Sequence, residues 1–512
     1  MWRRLVLFGI CLLLAACSRQ PDTVSLQAHV QQELAQTYGN DLFKVVHLQR
    51  MGSAQDNSAP AGETRRVVYF DIELKLQRDV MLGGWDEPGA ASLVTLLGAG
   101  PRGITGVKSG GNQAGDVIEA HASAIYRKQG GQWALVTPAG LTTARAPSFE
   151  SGAPRPVSRQ LLDALNQVTQ SVSSNGSAAA QRVVQQELER SVARIDGRLS
   201  RMQQGYPIAG GPGRGEYAAL AQALAELGRQ QGLRVTPLTT GGSAENIRLL
   251  RSGEASLALA QADAARMAYD GEGPFADRGP FPGIRTLGSL YPEMVHIVVR
   301  NSAGIGSVKS LKGKRIALGP SGSAVRTTLE MVLAAHGLLS GRDYQPVDVP
   351  FSQSLPLLDQ GKIDATVNII GIPATVLRDA LSQAGFSLLP LNPAVVAELV
   401  HDHPGLMPMT IASGVYPNQR KPIATVGMAA LLLTTSELTP DEAARVVDLV
   451  YRSGQDLLKY GSTQGAQIWW GTARRGLTVP LHKGADEALQ KLETRPVGNG
   501  KTPPDGAAAA TK

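Results

Sequence analysis

The sequence predicts an α/β protein: a mainly parallel sheet covered by helices over about residues 205–485, preceded by a small α+β domain and a helical linker. Three observations carry that prediction. Short apolar segments ("RVTPL", "ASLALAQ", "VHIVVR", "RIALG", "ATVNII", "FSLLPL") alternate with amphipathic runs, the rhythm of strands joined by helical crossovers. Glycine-rich loops stand between several of those strands and the helices after them. Ahead of this region, one amphipathic segment leads into stretches of alternating apolar residues, the mark of a half-buried antiparallel sheet.

The chain opens on "MWRRLVLFGICLLLAACSRQ". Arg3 and Arg4 form a basic region, Leu5 to Leu14 an apolar one, and Leu14-Ala-Ala-Cys17 a small-residue cleavage site. The tetrapeptide resembles the bacterial lipobox, which implies removal of residues 1–16, a lipid on Cys17 and a tether over 17–21; a plain secreted leader and an uncleaved anchor are the alternatives. Ser18 leans towards the outer of two membranes. No later apolar run reaches the roughly 18 residues that span a bilayer, and "VGMAALLLTT" (Val426 to Thr435) reads as core. Cys11 lies in the leader and Cys17 takes the lipid, so no thiol remains for a disulfide, a thiolate metal site or a nucleophile. The formal charge of +7 falls to +5 without Arg3 and Arg4 and is spread along the chain. That distribution suits anionic ligands or surfaces and argues against nucleic acid.

Residues 22–145 form the first domain. Leu26, Val30, Leu34 and Tyr38 recur every four residues within Val24 to Tyr38, giving a helix with one buried face. Alternating residues in "RRVVYFDIELKLQ" and "DVIEAHASAIYRK", then "QWALVTP", read as an antiparallel meander whose outline looks like a cystatin-like or nuclear-transport-factor-like roll. The glycine-rich stretch Gly83 to Gly115 is expected to be a long mobile loop. Residues 146–204 are a linker containing a helix over 178–202, where Val184, Leu188, Val192, Ile195 and Leu199 form a short coiled-coil-like seam. That seam packs either on its own chain or on a second copy. Residues 491–512 have nothing to bury and are expected to be a disordered tail.

Three loops of the larger domain share one design. Gly210 to Gly215 precedes a helix starting at Glu216, Gly241-Gly242-Ser243 precedes one running to Arg251, and Gly319 to Ser323 precedes one running to His336. Each places free backbone N–H groups at a helix N-terminus, where the macrodipole adds positive potential and an anion can sit. The plainer reading makes the serines N-caps and the glycines turns. Three such loops at strand C-termini in one α/β region favour a binding cleft.

Other chemistries fail on spacing. Gly211-x-Gly213-x-Gly215 lacks the spacing of a dinucleotide loop, no Gly-Lys-Ser/Thr follows a glycine loop, and Gly319-Pro-Ser321-Gly-Ser323 misses the nucleophile elbow. His401-x-His403 has no evident third ligand and reads as a solvated loop. No catalytic set emerges, and neither a cofactor nor a metal is expected.

The segment from Tyr206 to about Leu481 resembles the TAXI solute-binding subunits of tripartite ATP-independent periplasmic (TRAP) transporters. The likeness is carried by the glycine loop ending in Tyr217, "TTGGSAENIRLLRSGEASLALAQADAARMAYDGEGPF", "LYPEMVHIVVRNSAGIGSVKSLKGKRIALGPSGS", "GKIDATVNIIGIP" and "GVYPNQ". It implies a two-lobed periplasmic-binding-protein (venus-flytrap) fold over 205–490, closing on a small carboxylate such as an amino acid or dicarboxylate and presenting it to a TRAP-type permease. The cleft residues it implies are Gly213, Gly215, Glu216 and Tyr217 in the first loop, Ser243 and Asn246 in the second, Gln261 and Asp263 after "ASLALAQ", and Ser321 and Ser323 in the third. Gly371 and Tyr416 would line the opposite side. Arg326 is the natural bidentate carboxylate partner, or else points to solvent. Two departures bear on the ligand: Glu216 stands where the family has a small polar residue, and Ala324-Val325 where it has Gly-Thr. An added acid favours a ligand that also bears an ammonium group. The alternative to solute delivery is an envelope sensor or assembly lipoprotein whose N-terminal domain contacts a partner.

Overall fold

The computed structural model describes residues 23–138 and 178–494, apart from 57–58, 60–61, 86, 100–102, 109, 130–131, 214 and 383–384. Cys17 with its leader and tether, the connection 139–177 and the tail beyond Thr494 lie outside the described residues.

Helix α1 (Thr23–Tyr38) buries Leu26, Val30, Leu34 and Tyr38, the face its spacing predicts. It packs on an antiparallel sheet of β1 (Phe43–Gln55), β2 (Arg65–Leu76), β3 (Ile104–Thr105), β4 (Val117–Gln129) and β5 (Gln132–Pro138), ordered β1-β2-β4-β3 with β5 also on β4. The stretch Gly83–Gly115, expected as a mobile loop, is instead packed. It contains β3 and helix α2 (Ala90–Leu96), and it buries Trp85, Leu93, Val94 and Leu97. Its partners are distant in sequence, which is why composition alone misreads it. Leu458 and Ala466 complete the N-terminal core, while Trp85 enters the core of the larger domain. The Trp85 indole N–H reaches Gln467 O at 3.5 Å, and the Arg475 guanidinium lies 4.9 Å from the centre of its ring.

Helix α3 (Ala178–Gln204) meets its own chain near its C-terminus. Arg201 forms a two-pronged ion pair with Glu442, Nε to Oε1 at 2.9 Å and Nη2 to Oε2 at 3.0 Å. Burial pushes the Glu442 carboxyl up, but Arg201 and the backbone and hydroxyl of Thr439 outweigh it and hold the group at about 2. Arg194, two helical turns earlier, pairs with Glu437 at 2.9 Å.

The larger domain begins with β6 (Tyr206–Gly211), α4 (Glu216–Gln230), β7 (Val235–Thr239), α5 (Ser243–Ser252), β8 (Leu257–Gln261) and α6 (Ala262–Asp270). The long strand β9 (Ile284–Arg300) leads to β10 (Arg315–Ala317), α7 (Ala324–Ala335), β11 (Gln345–Val347), α8 (Phe351–Asp359), β12 (Ala365–Gly371), α9 (Thr375–Leu381), β13 (Phe386–Leu388), α10 (Pro393–Asp402) and β14 (Met407–Ile411). A second long strand, β15 (Ile423–Thr435), returns to α11 (Pro440–Arg452) and α12 (Lys483–Glu493). His401-x-His403 therefore falls at the end of α10 rather than in a loop, and residues 491–493 close α12 rather than starting the tail.

The main path of the sheet runs β11-β10-β12-β9-β15-β8-β6-β7. One lobe is built on β6, β7 and β8, which run parallel, and the other on β10, β11 and β12, also parallel. β9 and β15 cross between them, so this is a two-lobed α/β fold hinged on two antiparallel strands. The register fixes where the lobes face each other. Gln261, the last residue of β8, pairs with Ala430, which pairs with Tyr291; Gly371, the last residue of β12, pairs with Glu293. The C-terminal ends of both parallel sets thus converge on the middle of β9, where open α/β sheets bind ligands.

Candidate functional site

Within the first loop, Gly215 N donates to Pro212 O at 2.7 Å and Gly213 is exposed. The loop delivers Glu216 and Tyr217 at the start of α4 towards the hinge. In the second, Gly241 N donates to the chain's own Glu245 carboxylate at 2.6 Å, and Ser243 Oγ accepts from Gln261 N at 3.2 Å. Asn246 is fully buried and saturated: its amide donates to Gly210 O at 2.7 Å and Leu259 O at 2.6 Å, and its oxygen accepts from Thr240. Asn246 ties the ends of β6 and β8 together, leaving no group for a ligand. In the third loop Ser323 is the N-cap of α7, accepting from Arg326 N at 3.3 Å, and Ser321 is exposed. Arg326 is engaged by Glu330 and Asp348.

A cluster of enclosed polar groups meets at the hinge. Tyr217 donates its hydroxyl to Glu293 Oε2 at 3.0 Å, and Gln261 also hydrogen-bonds that carboxyl. Burial pushes Glu293 up to about 8, against those two bonds, with Asp263 and Glu216 adding repulsion. Asp263 is half-buried as a residue, its carboxyl enclosed; burial raises it to about 6 against hydrogen bonds from Thr328 and the Ala264 N–H. Glu216 is likewise half-buried with an enclosed carboxyl, raised by burial to about 7 against the Thr375 N–H, Arg378 and Gln464. Tyr291, fully buried, has a hydroxyl without a partner, as does Gln261 Oε1. A Cβ on Gly371 would stand 2.8 Å from the Tyr291 ring, so glycine is what lets β12 end against it.

Near Glu216 lies Arg378 on α9, 1% exposed, with Nε, Nη1 and Nη2 all lacking a hydrogen-bond partner and Asp379 at 4.0 Å. Burial pulls its pKa down, and Asp379, Glu216 and Tyr416 oppose that. Buried charges are ordinarily paired and hydrogen-bonded. Tyr416 is buried as well: its hydroxyl accepts from Ala374 N at 3.2 Å and bonds His296 Nε2 at 2.8 Å. Burial lowers His296 to about 4 despite the Met294 carbonyl at its other nitrogen, so the ring is neutral and accepts. The pair holds the 372–374 loop that leads into α9. The buried segment Thr463–Gln467 braces the same loop, Gln464 Nε2 to Pro373 O at 3.3 Å and Gln467 Nε2 to Ile372 O at 2.6 Å.

Bonds between the lobes include Thr328 to Asp263 and Gln261 Nε2 to Ile369 O at 3.4 Å. The cleft is shut. The structure thus brings together Glu216, Tyr217, Gln261, Asp263 and Gly371, sets Tyr416 behind them, and gives Ser243, Asn246, Ser323 and Arg326 internal partners. Sequence reasoning missed Arg378 and Glu293. Arg378 sits in "TVLRDAL", where a lone arginine in a helical run resembles a solvent face; Glu293 had a signal, a carboxylate inside the otherwise apolar strand "LYPEMVHIVV". Among the described residues no group of three His, Cys, Asp or Glu could hold a metal ion, and no helix is long and apolar enough to cross a membrane.

Solved structures with a similar trace include the periplasmic aliphatic sulphonate binding protein SsuA from Escherichia coli, 17% identical over 57% of this chain and 83% of that one, TM-score 0.34. The alkanesulfonate-binding SsuA from Xanthomonas axonopodis pv. citri bound to MOPS is 17% identical over 56% and 91%, TM-score 0.31. A sulfonate-binding SsuA described from Methylobacillus flagellatus KT is 13% identical over 56% and 94%, TM-score 0.34. The sequence profile of the NMT1-like family matches residues 208–490, from β6 through α12. That match takes in both lobes, the hinge strands and every residue of the buried cluster, and on it the chain belongs to the NMT1-like family.

Proposed function

We propose that the protein is a lipid-anchored, extracytoplasmic solute-binding protein that captures a small carboxylate carrying an ammonium group, such as an amino acid, and presents it to a TRAP-type permease. The observation that carries this reading is Arg378: a buried guanidinium with no hydrogen-bond partner, near Glu216 at the hinge where Asp263 and Glu293 also lie. A guanidinium takes a carboxylate in a two-pronged, charge-assisted pair. The hinge carboxyls suit a cationic end, since an ammonium would favour their charged forms. The TAXI likeness of the sequence supports the permease partner, and the lipobox at Cys17 the periplasmic anchoring.

The test is a thermal-shift screen of the mature chain against amino acids, dicarboxylates, alkanesulfonates and diamines. A ligand at about 100 times its Kd adds roughly 2.7 kcal/mol of stability. Amino acids should shift the melt, while dicarboxylates and diamines, each satisfying one side of the cleft, should do less. A preference for diamines would remove Arg378 from the reading. No shift with any class would favour a sensor or assembly role, for which the packing of Trp85 into the larger domain is the specific support.

A further inference from the structure

A cavity of about 460 Å³ lies where the N-terminal domain meets the second lobe, within the size range of small-molecule sites. Its long wall is α1, whose Leu26, Val30 and Thr37 line it over eleven residues, roughly 16 Å of helix. Phe70 and Ala124 of the sheet line the floor, and Tyr416 and Pro417, from the connection between β14 and β15, the facing wall. Thr95 of α2 also lines it, 2% exposed, with a hydroxyl that has no hydrogen-bond partner. Buried hydroxyls are ordinarily satisfied, so this one is an unused donor and acceptor in a mixed lining, apolar along Leu26, Val30, Phe70 and Leu135 and polar at His29, Asn418 and Gln419. The charges in the lining offset each other: Arg420, bonded to Gln36, and Glu33 border the same cavity. An anion would meet Glu33 and a cation Arg420.

We propose that this cavity is a second small-molecule site, for an uncharged amphiphile with an elongated apolar body and one alcohol or amide oxygen that hydrogen-bonds Thr95. The site is separate from the solute cleft, and Tyr416, set behind that cleft, borders it. The Tyr416 ring that borders the cavity carries the hydroxyl bonded to Ala374 N and His296.

The experiment uses the full mature chain and the neutral fluorophore N-phenyl-1-naphthylamine, displaced by decanol, decanoate or decylammonium. Saturable fluorescence is expected, displaced at lower concentration by decanol than by either ion. Ala124→Trp, which fills the floor, should abolish it. Thr95→Val, which keeps the shape and removes the hydroxyl, should weaken decanol about three- to tenfold, the span of one hydrogen bond. Far-UV melts of both variants establish that they fold; should Ala124→Trp not fold, Thr95→Val decides. Absence of saturable binding, displacement led by either ion, full binding by a folded Ala124→Trp, or an unchanged decanol affinity in Thr95→Val would overturn the proposal.

Discussion

Arg378 and the hinge carboxyls make opposite demands on the empty protein and on the occupied one. An unpaired buried guanidinium destabilises the unliganded fold, so Arg378→Met should stabilise it by about 1–3 kcal/mol while weakening carboxylate binding by tenfold or more. Urea denaturation without ligand and calorimetric titration with it should therefore move in opposite directions; a variant that loses stability would show the guanidinium to be structural. The acids set a pH dependence. Glu293, Glu216 and Asp263 are raised by burial to about 8, 7 and 6, so above the ordinary carboxylate range the folded protein holds protons that the unfolded chain has released. Their contribution is full below that range and is lost as pH rises, levelling off above about 8. Melts of the unliganded protein should fall between pH 5 and 9 by an amount on the order of a few kcal/mol. Glu293→Gln should flatten the alkaline part of that curve, and a rise towards pH 9 would contradict the burial.

At the scale of elements, the loops, strands and helices were readable because periodicity and glycine placement report local backbone needs. What each loop holds was not. An asparagine or serine after a glycine turn serves equally to cap a helix, to stitch strands or to meet a ligand, and Asn246 and Ser323 took the first two tasks. Arg326 and Arg378 both stand in helices as lone arginines, and only the packing of α9 against the hinge decides which is buried. The reach of α3 was likewise undecided between its own chain and a second copy. Its pairing of Arg201 with the buried Glu442 predicts that Arg201→Ala costs about 3–5 kcal/mol. Hydrogen exchange across residues 178–204 should rise in that variant; unchanged protection would mean that other contacts hold the helix. Because Glu442 is held at about 2, the pair's contribution is present at neutral pH and fades only as the solution is acidified below the usual carboxylate range.

Over the whole molecule, the least readable feature is the joint between domains, since Trp85 and its partners are separated by hundreds of residues. An indole shared with a neighbouring core couples two folding units. Calorimetry should show one transition for residues 23–138 and 205–494 together, and Trp85→Ala, costing about 3–5 kcal/mol, should split it in two. Two transitions already present without the substitution would count against the coupling. The bond from the Thr328 hydroxyl across the cleft to the Asp263 carboxylate has a consequence in time rather than in energy. A mouth held shut by the chain's own carboxylate must open before any solute enters, so capture is gated. In stopped flow the observed rate should stop rising with ligand concentration and level off at the frequency of opening, and Asp263→Ala should lift that ceiling.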